Sequence, residues 1–181
     1  DIDISPSYPL ARFTVQYTNI LGTKDNFRIE TGYMRRYPIL KTDTLASFKH
    51  IGTQETFMIK TPMKEELFAN KWCALLYRRT PRDLFDTYQI TKMDFDREVF
   101  RKCAIVDGLM RKKPKLYEIN IEEMTNDIPI DSSLRNLLQS EKFSRFDFKE
   151  MTKQVIEFSK RIIEDLTTNE VKAIDQFFEL K

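Results

Sequence analysis

The stretch Thr56-Phe57-Met58-Ile59-Lys60-Thr61-Pro62-Met63-Lys64-Glu65-Glu66-Leu67-Phe68-Ala69-Asn70-Lys71-Trp72 changes character at its proline. Thr56 to Lys60 reads as a strand, closed by Thr61-Pro62, and proline is tolerated in the first turn of a following helix. Beyond it Met63, Leu67, Phe68, Trp72, Leu75 and Leu76 recur at three- and four-residue steps, the spacing of one helix face. Lys64, Glu65 and Glu66 load the first turn with mostly acidic charge, which suits the positive end of a helix dipole. The spacing predicts a helix from Met63 to about Arg79.

Upstream the chain reads as strands. Arg12-Phe13-Thr14-Val15-Gln16-Tyr17 alternates apolar and polar residues, Gly22-Thr23-Lys24-Asp25-Asn26 supplies turn chemistry, and Phe27-Arg28-Ile29-Glu30-Thr31-Gly32-Tyr33 alternates again. The two runs predict an antiparallel hairpin with Phe27, Ile29, Thr31 and Tyr33 on one face and Arg28, Glu30 and Gly32 on the other. Asp1-Ile2-Asp3-Ile4 also reads as a strand, and a chain opening there predicts further residues upstream.

Downstream, Thr80-Pro81 breaks the helix, and Arg82 to about Thr91 makes a second one whose Leu84, Phe85 and Tyr88 face the core. Asp94-Phe95-Asp96 caps a third, from Asp96 to about Met110, followed by the basic segment Arg111-Lys112-Lys113-Pro114-Lys115. Three more helical stretches fall near Asp131–Gln139, Asp147–Asp165 and Asn169–Leu180. A sheet followed by helices is an α+β layout, divided into a sheet portion over 1–62 and a helical portion over 63–181.

Composition narrows the function. The chain has 181 residues, 41% hydrophobic and 32% charged, with a net charge of +2, so its overall field does not announce a nucleic-acid binder. Its four glycines are too scattered for a dinucleotide fingerprint or a phosphate-wrapping loop. Cys73 and Cys103 sit alone in apolar runs with only His50 to assist, which reads as reduced core thiols rather than a zinc site. His50 has no Ser or Cys nucleophile placed near it, which argues against a hydrolytic triad. No apolar run approaches the ~20 residues of a membrane span, and no signal peptide opens the chain, so a cytoplasmic protein is expected. Arg35-Arg36-Tyr37 and the Arg111 to Lys115 segment read as solvated loops, with phosphate contacts as the alternative.

The densest chemistry lies in Asn70 to Tyr88. Lys71 and Arg78 are seven apart and share a helix face, Asp83 and Asp86 are three apart on the next helix, and Arg82 and Asp86 are spaced as a favourable pair. This pattern fits either an ion-pair network joining two helices or a triphosphate-binding lysine with an acidic partner.

Lys71-x-x-Ala74-Leu75, followed by Arg78 and by Arg82-Asp83-Leu84-Phe85-Asp86-x-Tyr88, resembles the signature of the AbiEii/AbiGii nucleotidyltransferase toxins of abortive-infection and toxin–antitoxin systems. Phe27-Arg28-Ile29-Glu30-Thr31-Gly32 resembles that family's carboxylate-bearing strand, and Asp1-Ile2-Asp3 its Asp-x-Asp pair. The family's Gly-Ser, some residues before that pair, falls upstream of Asp1 and so outside this sequence, and only seven residues separate Ile4 from Arg12, where the family fold places a helix. The resemblance implies a nucleotidyltransferase-like mixed sheet, with a C-terminal helical bundle closing over the nucleotide. It implies Mg²⁺ on Asp1, Asp3 and Glu30, since that ion takes hard carboxylate oxygens. Lys71, Arg78 and Arg82 would bind the NTP; Asp83 would position Lys71 or act in catalysis, supported by Asp86. It further implies transfer of NMP to a hydroxyl of tRNA, another RNA or protein, and a cognate antitoxin. The reading from a different class is a catalytically inactive module that binds protein or RNA, its Lys71, Arg82 and Asp83 network purely structural.

Overall fold

The computed structural model describes residues 2–7, 9–33, 37–50, 52–111, 114–129, 134 and 146–180, with the side chains of 2–7 outside that description. The chain forms two compact units, Asp1–Pro38 and Ile39–Lys181.

The first unit is a three-stranded antiparallel sheet, β1 (Ile2–Ser7), β2 (Leu10–Thr18) and β3 (Lys24–Gly32), in the order β1-β2-β3. Ser7 pairs with Leu10, so β1 turns directly into β2 without an intervening helix. The alternation read from the sequence sets the register: Phe13 pairs with Ile29 and Val15 with Phe27 on one face, while Arg12 pairs with Glu30 and Thr14 with Arg28 on the other. Gly22 takes φ +75° in the β2–β3 connection, a conformation open to glycine at no steric cost.

The second unit opens with the hairpin β4 (Asp43–Lys49) and β5 (Thr56–Pro62), also antiparallel. All pairing among the described residues is antiparallel, in place of the expected mixed sheet. β4, which the strand reading did not single out, is the partner of the expected third strand. Its apolar residues are few, yet Phe48 lies opposite Phe57, their ring centroids 5.0 Å apart.

Six helices follow among the described residues: α1 (Lys64–Arg78), α2 (Pro81–Thr91), α3 (Arg97–Arg111), α4 (Ile121–Asn126), α5 (Phe148–Glu164) and α6 (Thr168–Glu179). A 3₁₀ turn at Leu116–Glu118 precedes α4. The stretch near Asp131–Gln139 lies outside the described residues apart from Leu134, which is helical and buried. Short as it is, α4 forms because Asn120 caps it, accepting from the Glu123 N–H, and because Ile121 and Met124 are buried.

The helices enclose one core. α1 packs on α2 and α3, α2 and α4 on α5, and α3 on α6. Trp72, Phe100, Leu75, Leu76, Leu84, Met151 and Ile174 are buried, and the Trp72 indole N–H donates to the Ser159 hydroxyl at 2.9 Å, tying α1 to α5. Ile39 and Leu40 pack against this core, and the Leu40 N–H donates to Glu66, which explains why the β4–β5 hairpin belongs with the helices. Both cysteines are free and buried, and burial, aided by Glu66 and Glu65, pushes the Cys103 thiol up to about 11. None of the described helices is long and apolar enough to cross a membrane.

At the start of α6, Thr167 and Glu170 form a capping box, and Glu170 also pairs with Arg101 of α3 at 3.1 Å. Burial pushes the Glu170 carboxyl up, but the hydrogen bonds from Thr167 and Arg101 outweigh it and hold the group below its ordinary 4.5. A carboxyl depressed on folding stabilises the folded chain above its unfolded pKa, and that contribution is lost as pH falls through the lower folded value. Urea midpoints should therefore decline below pH 4.5 less steeply in Glu170→Gln than in the parent chain. Parallel declines would show that the Arg101 link adds nothing to the linkage.

Candidate active site

The elbow between α1 and α2 gathers the charged residues singled out from the sequence. α1 ends because Arg79 enters the left-handed region at φ 56°, its N–H reaching the Leu75 carbonyl. Thr80 must be extended because it precedes proline, and at φ −102°, ψ 150° it caps α2, with Pro81 in the first turn.

Two ion pairs cross this elbow. Lys71 Nζ lies 2.8 Å from Asp86 Oδ2, the side chains 45% and 39% exposed, so the pair is open to a ligand. Arg78 grips Asp83 through two donors, Nη2 to Oδ1 at 2.6 Å and Nε to Oδ2 at 3.2 Å. The Thr80 hydroxyl donates to Asp83 Oδ2 at 2.7 Å, and Asp83 is only 2% exposed. Its carboxyl oxygens are thus enclosed by donors, as burial of such a group requires. Arg78 remains 59% exposed, and its N–H groups not committed to Asp83 are available to an anion.

The two carboxylates therefore divide the work differently from the expected arrangement: Asp86, not Asp83, holds Lys71, and Asp83 fixes Arg78. The expected Arg82–Asp86 pair does not form, and exposed Arg82 has no ion-pair partner among the described residues. Thr80 was not singled out as a site residue, although Thr80-Pro81-Arg82-Asp83 carries the capping signal that places its hydroxyl on Asp83.

The proposed metal ligands belong to the other unit. Asp1 lies outside the described residues; Asp3 is in β1, paired with Thr14, and its side chain is outside the description. Glu30 is in β3, separated from β1 by β2, and its carboxylate accepts from Arg12 Nε at 2.8 Å. Among the described residues, no group of three or more His, Cys, Asp and Glu side chains is placed to hold a metal ion.

Among the remaining sequence candidates, Arg111, Lys115 and His50 make contacts within the fold. Arg111 pairs with the fully buried Asp107 at 2.6 Å, and Lys115 with Asp175 at 2.5 Å, while Lys112 and Lys113 lie outside the described residues, as do Arg35 and Arg36. His50 Nδ1 accepts from the Thr53 N–H at 3.0 Å, a turn contact.

The family model described as nucleotidyl transferase AbiEii toxin, type IV toxin–antitoxin system, matches residues 2–179 of the chain. No curated protein and no solved structure matches it.

Proposed function

Because the chain belongs to the AbiEii family of nucleotidyl transferase toxins of type IV toxin–antitoxin systems, we propose that it transfers a nucleoside monophosphate from an NTP to an acceptor hydroxyl on RNA, with tRNA the favoured class, and that a cognate antitoxin restrains it. The observation that carries the residue assignment is the exposed Lys71–Asp86 pair beside the anchored Arg78. In transfer, the acceptor oxygen bonds to the α-phosphorus while the bond to the pyrophosphate oxygen breaks. The hydroxyl proton passes to water, and pyrophosphate carries off the charge.

Lys71 serves as a mobile point charge on the phosphates, positioned by Asp86. Arg78, preset by Asp83 and Thr80, offers planar donors two helical turns along the same face, about 10 Å away by the rise of an α-helix. Arg82 stands at the start of α2 as a further cation for the triphosphate. Asp1, Asp3 and Glu30 carry the hard oxygens that would suit Mg²⁺; Glu30, across β2 from β1 and paired with Arg12, would have to give up that pair to join the other two. When bound, that ion would neutralise phosphate charge.

The test incubates the chain with α-labelled ATP, GTP, CTP and UTP in turn, with Mg²⁺ and bulk RNA. Label is expected on RNA from one preferred nucleotide. Label on protein alone would replace the acceptor assignment. No transfer from any nucleotide would leave a catalytically inactive binding module.

A further inference from the structure

A cleft of mixed polar and apolar lining lies between the end of α4 and the first turns of α5. Its volume is about 390 Å³, within the roughly 300–1,000 Å³ range of small-ligand sites. Lys149 and Lys153 stand one turn apart on α5 and line it together with Thr125, Ile128, Phe148 and Ile156. Among the described residues, no carboxylate lines it.

Three features point to an anionic occupant. Neither Lys149 nor Lys153 has an ion-pair partner among the described residues, whereas Lys160, further along α5, pairs with Glu122 of α4. Two ammonium groups at helical spacing, unpaired among the described residues, raise the local concentration of anions. Thr125 is 1% exposed, and its hydroxyl is the one buried side-chain polar atom without a hydrogen-bond partner among the described residues. Buried polar groups are seldom left so; Thr125 lines the cleft, and a rotation about its χ1 would redirect the hydroxyl toward a ligand held there. Beside the polar Asn126 and Thr152, the wall carries Ile128, Phe148 and Ile156, an apolar patch with an aromatic ring that suits a flat apolar body.

We propose that this cleft binds a phosphorylated, nucleotide-sized ligand, its phosphate held by Lys149 and Lys153 and its base against the apolar wall, with Thr125 supplying a hydrogen bond. The phosphate comes either from a free mononucleotide or from the 5′ end of a strand. The site is independent of Lys71.

Isothermal titration of the full chain with AMP, with a 5′-phosphorylated tetraribonucleotide and with its unphosphorylated counterpart tests this. Binding of either phosphorylated probe is expected to weaken at least tenfold in Lys149→Ala/Lys153→Ala and to weaken in the near-isosteric Thr125→Val. Preference for AMP identifies a free nucleotide as the source, and preference for the phosphorylated strand identifies a strand end. Equal affinity in the parent and double-lysine chains overturns the proposal. So does equal binding of the unphosphorylated strand, or no binding of either phosphorylated probe at millimolar concentration.

Discussion

Replacing Trp72 with alanine is expected to destabilise the helical unit by roughly 3–5 kcal/mol, the range for losing a large aromatic from a packed core. Trp72 is 1% exposed, its ring lies 5.8 Å from that of Phe100, and its indole N–H reaches Ser159 across the core. Alanine leaves a cavity between α1, α3 and α5, and it also strands the Ser159 hydroxyl, which is fully buried. Trp72→Phe separates the two losses. Most of the ring volume stays, so the remaining cost is chiefly the orphaned hydroxyl, about 1–3 kcal/mol. Urea unfolding followed by far-UV circular dichroism measures both. A loss below about 1 kcal/mol in Trp72→Ala would mean that the helices collapse into the space, and that the core is less specific than its packing indicates.

The helices around that core were legible because their apolar residues recur with a period that nothing else imitates. The starts of α1, α2, α3 and α5 follow from the period together with Pro62, Pro81, Asp96 and Asp147, whereas α6 was read from Asn169, one residue inside its start, because the Thr167-x-x-Glu170 box that caps it went unused. The same logic fails for α4: six residues are too few to establish a period, and its stability comes from Asn120 and from burial against α5. β4 escaped for a related reason. Asp43-Thr44-Leu45-Ala46-Ser47-Phe48-Lys49 carries few apolar residues, and only its pairing with β5 makes it a strand. Sheet type was less legible still, since alternation within one strand says nothing about the direction of its partner.

At the candidate site, spacing identified the residues but not their pairing. Lys71 and Arg78 share a face of α1, and Asp83 and Asp86 share a face of α2, so two matchings satisfy the sequence equally. The elbow decides between them. Thr80, extended ahead of Pro81, brings its hydroxyl to Asp83, and the enclosed Asp83 then takes the planar two-donor grip of Arg78, leaving Asp86 at the rim for Lys71. Choosing correctly requires the helix–helix geometry, which is set by core residues distant from the charges.

Lys71→Ala is expected to reduce nucleotidyl transfer about 100- to 1,000-fold, the loss typical of removing one preorganised electrostatic group from a transition state. The expectation rests on Lys71 touching the phosphates where charge develops, and on stability contributing little to the result. A half-exposed ion pair contributes about 0–1 kcal/mol, so the urea midpoint should hardly move. Asp86→Asn gives the complementary case. It keeps the lysine charge but loosens its tether, so transfer should fall by a smaller factor, with kcat affected more than KM because the ground-state attraction survives. Lys71→Arg preserves charge, but its planar fork differs from the compact ammonium that Asp86 holds, so it should restore only part of the rate. If transfer proceeds at the parent rate in Lys71→Ala while Arg78→Ala abolishes it, the anchored arginine is the phosphate ligand and the Lys71–Asp86 pair merely staples α1 to α2. Should both variants transfer normally, the elbow is structural and the phosphates are held elsewhere in the chain.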